Sequence, residues 1–314
     1  MKKVLVIRFS SIGDIVLTSP VLRCLKNKGF TVHFLVKPKF YTVIEYCPYI
    51  DKIHVFQNRA ICIPILRKEK FDYIVDLQNN LTSRLLCRWL NCPSATFPKL
   101  NIRKFLVVLF KTKSILPRQH IVDRYFEAVK KLSVEKDSKG LEFFIGSEKI
   151  SDAVKKVSEP YVAIVVGGSY GTKKISLKVL RTICANVSDK KIILLGDEKD
   201  GIEVEVLTRE FSHVENWCGR ANLHESAYLI QKAEFVVTSD TGLMHIAAAF
   251  KKKIYSLWGN TIPEFGMYPY LPHPASRIIE NNRLWCRPCS KLGYQKCPLG
   301  HFKCMNDLDV HIIE

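Results

Sequence analysis

Short apolar strands alternate with longer helical segments along most of the chain, and this alternation is what most constrains the fold. Val4–Phe9 is a largely apolar run rich in β-branched residues, typical of a strand buried on both faces. Further predicted strands are Thr31–Val36, Lys52–Phe56, Phe71–Leu77, Ala95–Phe97, Tyr161–Val166, Lys191–Leu195, Glu234–Thr238 and Ile254–Leu257. Strands separated in this way indicate βαβ units, so we predict an α/β chain with doubly wound parallel sheets.

The strands form two series, which predicts two Rossmann-like domains facing each other across a cleft. The second series starts near Tyr161, and the boundary is expected between Phe144 and Pro160. We predict an N-terminal domain over residues 1–155 and a C-terminal domain over 156–284. A cysteine-rich tail over 285–314 would follow them.

Composition narrows the class of protein. Of the 314 residues, 47% are hydrophobic and 25% charged, which excludes a disordered chain. The net charge of +18 favours an anionic partner. The N-terminal apolar run is ended by Arg8, too early for a signal peptide, and Phe105–Phe110 is far too short to span a bilayer. We therefore expect a cytoplasmic protein.

Several polar loops follow predicted strands, where open parallel sheets bind ligands. In Ser10–Asp14, the carboxylate of Asp14 could serve as a general base or simply cap a helix. In Gly167–Lys174, glycines let the backbone approach a phosphate and lysines can neutralise it. This loop has neither the Walker A nor the G-x-G-x-x-G pattern. Glu198 could contact a ribose hydroxyl or begin a helix as a solvated carboxylate.

The stretch Ser239–Phe250, SDTGLMHIAAAF, lies at a strand-to-helix junction. A helix over Leu243–Phe250 would leave the N–H groups of its first turn free to bind an anion. His245 follows Thr241 by four residues and shares its helix face. An ordinary capped helix, with Ser, Asp or Thr as cap, explains the same residues equally well.

Two further segments each allow two interpretations. Asn101–Lys113, NIRKFLVVLFKTK, fits a core helix or strand with solvated ends, which we prefer, or a membrane-surface element. The tail contains Cys286, Cys289, Cys297 and Cys304, which could surround a structural Zn²⁺ with His301 as an alternative ligand, or could be reduced, packed thiols.

Four motifs together resemble glycosyltransferase family 9, the lipopolysaccharide heptosyltransferases, and they follow the family's order over most of the chain. They are RFSSIGDIVLTSPVLRCLK at 8–26, DLQNNLTSR at 76–84, GGSYGTKKIS at 167–176 and SDTGLMHIAAAF followed by LWGNTIP at 239–263. The cysteine-rich tail is similar to that of the second-heptose type. The resemblance implies a GT-B fold and an inverting, metal-independent transfer of heptose from ADP-heptose to the inner core of lipopolysaccharide.

The same resemblance implies a role for individual residues. Asp14 would be the general base that deprotonates the acceptor hydroxyl. The donor-binding residues would be Ser169, Thr172, Lys173, Glu198, Asp240, Thr241, Gly242 and His245. Two departures from the family pattern are Ile175, where an aromatic residue is usual, and the small number of residues after Asn306 for a closing helix.

The expected partners follow from this interpretation. They are a nucleotide-sugar donor, a lipid-anchored oligosaccharide acceptor and, through peripheral association, the cytoplasmic face of the inner membrane. No cofactor is expected for catalysis. Another sugar or acceptor within the family is the nearest alternative. A basic nucleic-acid-binding protein would explain the charge, but the sequence contains no recognised nucleic-acid motif. A catalytically silent membrane scaffold is a third possibility.

Overall fold

The computed structural model describes residues 2–158 and 160–313. The chain forms two compact units. The first comprises Met1–Lys99 and Gln119–Phe144, and the second comprises Leu100–Arg118 and Ile145–Glu314. The assignment of Leu100–Arg118 to the second unit was not predicted from the sequence.

The first unit contains a five-stranded parallel sheet in the order β3-β2-β1-β4-β5. Its strands are β1 (Lys3–Ile7), β2 (Thr31–Val36), β3 (Lys52–Val55), β4 (Tyr73–Asp76) and β5 (Ser94–Thr96). The central strand β1 is buried from Val4 onward because helices cover both faces of a doubly wound sheet.

The second unit contains a six-stranded parallel sheet in the order β11-β10-β9-β6-β7-β8. Its strands are β6 (Tyr161–Val165), β7 (Lys191–Leu195), β8 (Val214–Asn216), β9 (Phe235–Ser239), β10 (Lys253–Trp258) and β11 (Arg277–Glu280). Every residue of β6 and β9 is buried, so the centre of this sheet is also its core.

Helices connect these strands, and many begin at a side-chain cap. They are α1 (Ile12–Val16), α2 (Ser19–Asn27), α3 (Arg59–Lys68), α4 (Leu81–Leu90), α5 (Asn101–Phe110), α6 (Ile121–Tyr125), α7 (Asp152–Lys155), α8 (Leu177–Asn186), α9 (Glu198–Glu210), α10 (Leu223–Lys232), α11 (Gly242–Ala249) and α12 (Lys303–Asn306). Asn80, Asp197 and Asn222, for example, each accept a hydrogen bond from the third residue of the helix that follows. Such caps satisfy N–H groups that lack an intrahelical partner.

The predicted strands agree with the structure to within about two residues at each end. Strands β8 and β11 were missed. Both lie at an edge of the second sheet and have only three and four residues. Because edge strands are short and partly solvated, they lack the continuous apolar run that marks a central strand.

The preferred interpretation of Asn101–Lys113 as a core segment is wrong. Residues Asn101–Phe110 form helix α5, but only Val107 on this helix is fully buried. Ile102, Phe105, Leu109 and Phe110 are exposed. The sequence left helix and strand open for this segment; the structure shows a helix whose large apolar residues lie mostly on its exposed side.

The end of the chain packs within the second unit. Helix α12 has four residues and contacts α8 and β10. Met305, Val310 and Ile313 are buried in the core of this unit. Within residues 2–158 and 160–313, no helix combines the length and the apolar character needed to cross a bilayer.

Candidate active-site residues

The carboxyl ends of β7, β6, β9 and β10 lie next to one another because these strands are parallel neighbours. The polar loops that follow them therefore share one rim of the second sheet. These loops contain Gly167–Lys173 after β6, Glu198 after β7, Asp240 after β9 and Thr261 after β10. Ligands of open parallel sheets bind at such a rim.

An ion pair joins two of these loops. Lys173 Nζ lies 2.6 Å from Asp240 Oδ2, and both side chains are mostly buried. Thr261 Oγ1 donates a hydrogen bond of 3.2 Å to the same carboxylate oxygen. Asp240 therefore fixes the ammonium group of Lys173 between the ends of β6 and β9, which brings together two residues predicted from the sequence.

Helix α11 begins at the same place. Thr241 is its N-cap, and the Thr241 hydroxyl accepts a hydrogen bond of 3.2 Å from the Met244 N–H. Gly242 is the first helical residue. The N–H groups of the first turn have no acceptor within their own helix, and with the helix dipole they favour an anion. The cap predicted from the sequence thus stands at the start of a helix whose first-turn N–H groups favour an anion.

The other predicted donor-binding residues lie in different surroundings. Ser169 is exposed in the loop after β6, and Glu198 is exposed as the first residue of α9. His245 is buried in α11 with 2% of its surface exposed. Thr172 is equally buried, and its hydroxyl donates to the Tyr294 carbonyl at 2.9 Å and accepts from the Tyr294 N–H at 2.8 Å. The Thr172 hydroxyl is therefore hydrogen-bonded to the tail of the chain.

In the first unit, Asp14 lies at the carboxyl end of β1 and is the third residue of helix α1. Its Oδ1 is 2.5 Å from Arg8 Nη2. Its Oδ2 accepts hydrogen bonds from the Ser11 hydroxyl at 2.9 Å and from the Ser11 N–H at 3.2 Å. Asp14 therefore also closes a capping box with Ser11, as the helix-cap interpretation expects.

The electrostatics of this pair favour an ionised carboxylate. Burial raises the pKa of Asp14, but the Arg8 guanidinium and the Ser11 hydrogen bonds outweigh it and hold that pKa below its usual range. Arg8 is itself buried, and it also donates to the carbonyls of Ser10 and Leu77. We had not singled out Arg8 from the sequence, although a charged residue at the end of a buried strand was a usable signal.

A second residue missed from the sequence is Arg287, which organises the loop after β10. Its guanidinium donates to the Gly259 carbonyl at 2.6 Å and to the Thr261 carbonyl at 2.9 Å. It also lies 2.9 Å from Glu280 Oε2. Only 5% of Arg287 is exposed. Since Thr261 bonds Asp240, Arg287 positions the loop that supports the Lys173–Asp240 pair.

The cysteine-rich tail packs beside this loop. The Cys289 N–H donates to the Asn260 carbonyl at 3.0 Å, and Cys286 Sγ is 3.9 Å from His301 Nε2. The pKa of Cys289 is raised to about 11, mainly by burial and in part by the nearby Cys286 and Cys297 thiols. Burial likewise raises the pKa of Cys304 to about 12, again with contributions from the other three thiols. The four predicted cysteines thus lie near one another.

Comparison with known proteins identifies the family of this chain. The family model "Glycosyltransferase family 9 (heptosyltransferase)" matches residues 62–299, and the chain therefore belongs to that family. The chain is 22% identical over 310 residues to lipooligosaccharide heptosyltransferase 2 of Campylobacter jejuni, a match that covers 95% of this chain and 91% of the relative.

Solved structures show the same fold. The structure of E. coli ADP-heptose LPS heptosyltransferase II aligns with a TM-score of 0.72 at 18% identity, covering 98% of both chains. E. coli heptosyltransferase WaaC with ADP-2-deoxy-2-fluoro heptose aligns with a TM-score of 0.66 at 21% identity, covering 87% of this chain and 97% of that one. The GT-B class predicted from the sequence is confirmed, as is the glycosyltransferase family.

Proposed function

We propose that this glycosyltransferase moves heptose from ADP-heptose to a sugar hydroxyl in the inner core of lipopolysaccharide. Family membership and the printed names of the relatives support this substrate class. The observation that carries the proposal is the placement of Lys173 beside the N-terminus of α11, held there by Asp240. A cation next to free helix N–H groups suits the diphosphate of a nucleotide sugar.

In this proposal the second unit binds the donor. Lys173 and the first-turn N–H groups of α11, beginning at Gly242, contact the diphosphate. Thr241 holds that turn in place, and Ser169 and Glu198 contact the donor from the loops after β6 and β7. Asp240 orients Lys173 and accepts hydrogen bonds from donor hydroxyls. Thr172 and His245, both buried, act by positioning these loops rather than by contact.

In the proposed reaction the acceptor hydroxyl oxygen attacks the anomeric carbon of the heptose from the face opposite the diphosphate. The bond between that carbon and the phosphate oxygen breaks, so configuration inverts and ADP leaves with the bonding electrons. Asp14 takes the proton of the hydroxyl, acting as general base. Lys173 and the helix N–H groups stabilise the departing diphosphate in place of a metal ion.

Two substitutions test this division of labour. Asp14→Asn should lower turnover by about 10²–10⁴-fold, the usual contribution of a general base, with little change in ADP-heptose affinity by calorimetry. Asp240→Ala should weaken ADP-heptose binding, since it releases Lys173. Normal turnover of Asp14→Asn on a lipopolysaccharide-core acceptor would refute the assigned base. Binding of RNA in place of ADP-sugars would refute the substrate class.

We also propose that the enzyme works in the cytoplasm, peripherally associated with the inner membrane. Its proposed acceptor is anchored in lipid, and its net charge of +18 suits an anionic surface.

For the tail we propose a structural zinc ion bound by Cys286, Cys289, Cys297 and Cys304. Four clustered thiols suit a tetrahedral ion, which would cross-link the tail beside the loop after β10. Metal analysis of protein purified without chelator should show about one zinc per chain. Protein free of metal, with all four thiols rapidly alkylated in the native state, would contradict the site.

A further inference from the structure

Helix α5 presents its large apolar residues to solvent. Ile102, Phe105, Leu109 and Phe110 are 78%, 56%, 58% and 62% exposed. At 100° per residue these four positions share one side of the helix. We call them the α5 apolar face. Soluble proteins seldom expose so many large apolar side chains together unless the surface has a partner.

The opposite side of α5 attaches it to the second unit. Val107 is fully buried and packs with Leu116, Ile262 and Phe265. The two lysines on this inner side are also engaged: Lys104 Nζ lies 5.5 Å from the centroid of the Phe265 ring, and Lys111 Nζ donates to the Pro288 carbonyl at 2.8 Å. An ordinary surface helix turns its apolar side inward. Here contacts with the second unit engage both lysines, although Lys111 remains exposed and Lys104 is half-buried, and the larger apolar residues lie outside.

The sequence around α5 is strongly basic. Residues 100–118, which belong to the second unit with α5, contain no Asp or Glu. The same stretch contains five basic residues, namely Arg103, Lys104, Lys111, Lys113 and Arg118, of which Lys113 forms an ion pair with Glu264 at 2.8 Å. Arg103, on α5 itself, is exposed beside Ile102. An apolar face within a segment that has no acidic residue is complementary to an anionic lipid surface, where each nearby basic residue adds attraction.

We propose that the α5 apolar face inserts into an anionic phospholipid bilayer and holds the enzyme at the membrane surface. A ten-residue helix is about 15 Å long, half the thickness of the hydrocarbon core, so α5 lies in the interface rather than across it. Val107 and Lys111 keep the helix attached to the second unit while its outer side enters the lipid. The proposal deepens the proposed function, because it names the surface that meets the lipid-anchored acceptor.

Vesicle co-sedimentation of the full chain tests the surface directly. Wild-type protein should bind vesicles of phosphatidylethanolamine and phosphatidylglycerol at a 3:1 ratio, and bind phosphatidylcholine vesicles much less. The double variant F105S/L109S should have a lower vesicle partition coefficient than wild type. Each substitution should reduce it by about tenfold or more, because each removes the free energy of burying a large apolar side chain. A matched double variant, L81S/I202S, removes two other exposed apolar residues of 75% and 76% exposure and should bind like wild type.

Three results would overturn the proposal. The first is wild-type protein that does not bind the anionic vesicles in low salt. The second is equal binding by F105S/L109S and wild type, when circular dichroism and thermal unfolding show both to be folded. The third is the finding that wild-type protein is a dimer and F105S/L109S a monomer, while both bind vesicles equally. That result would assign the face to a second copy of this chain.

Activity measurements separate this proposal from the proposed function. F105S/L109S should transfer heptose to a delipidated, soluble core oligosaccharide at the wild-type rate, but to vesicle-embedded acceptor more slowly. Wild-type protein could transfer no heptose to either acceptor while F105S/L109S still loses vesicle binding. In that case the docking surface stands and the proposed function fails. If F105S/L109S is equally impaired on both acceptors, α5 acts elsewhere than at the membrane and the docking proposal fails.

Discussion

Arg8 controls the protonation of Asp14 through direct contact. A carboxylate beside a guanidinium keeps a pKa one to three units lower than it would have alone. The Arg8–Asp14 pair is largely buried, so water screens it only partly. Because its pKa is lowered, Asp14 is a weaker base, but its carboxylate is ionised at every physiological pH.

We therefore predict that Arg8→Gln shifts the acid limb of the kcat/KM–pH profile upward by about one unit or more. Without the cation, burial dominates and the pKa of Asp14 rises. The base is then protonated, and inactive, at pH values where the wild type still works, whereas activity near pH 8 changes much less. Steady-state kinetics between pH 4 and 8 measure the shift.

Two controls accompany this variant. Arg8→Lys keeps a positive charge and should restore most of the wild-type profile. Arg67→Gln removes an exposed arginine that bonds the Trp89 carbonyl, and should leave the profile unchanged. An identical acid limb in Arg8→Gln and wild type would show that the ion pair does not set the pKa of the base.

At the scale of elements, the turn that contains Lys173 is tied to the tail. Gly171–Lys173 is a single 3₁₀ turn, and Thr172 forms three hydrogen bonds with the backbone of Tyr294 through its N–H and hydroxyl. A side chain at Gly171 would collide with the Gln295 carbonyl, 2.2 Å from its Cβ position, which requires glycine there. The tail thus acts as a support for the turn.

We predict that Thr172→Val lowers the free energy of unfolding by about 2 kcal/mol, because it removes two hydrogen bonds and leaves the Tyr294 N–H without its acceptor. ADP affinity should fall as well, since the Lys173 turn loses its support. Urea unfolding and calorimetry measure the two effects. Thr172→Ser retains the hydroxyl and should recover most of the affinity. Unchanged stability with lost ADP binding would instead place Thr172 in direct contact with the donor.

At the scale of the whole molecule, the donor is expected to bind to and stabilise the second unit and not the first. All the predicted donor-binding residues belong to the second unit, whereas Asp14 belongs to the first. A ligand at 100 times its dissociation constant stabilises the state that binds it by about 2.7 kcal/mol.

We accordingly predict that saturating ADP slows hydrogen exchange in β6, β9 and α11 of the second unit, while β1 and β4 of the first unit exchange as before. Hydrogen-exchange mass spectrometry resolves the two sets of peptides. Adenosine, which lacks phosphates, serves as the control and should protect α11 far less. Protection that is strongest around Asp14 would place the nucleotide in the other unit and contradict the proposed division.

The sequence alone determined the class of fold, the positions of the central strands along the chain and the loops that carry the candidate residues. It could do so because buried parallel strands need continuous apolar runs, and because caps and glycines mark where strands pass into helices. The Asp240–Thr241–Gly242 junction was accordingly identified within a residue of its place.

Only the tertiary structure decided which side chains meet. Thr172 and Tyr294 are 122 residues apart, and no local pattern links them. Arg287 supports the loop of Thr261 from the tail, and Ile262 and Phe265 decide which side of α5 is covered. Local periodicity fixes where an apolar stripe runs along a helix. Whether that stripe is buried depends on partners distant in sequence, and for α5 they cover the opposite side.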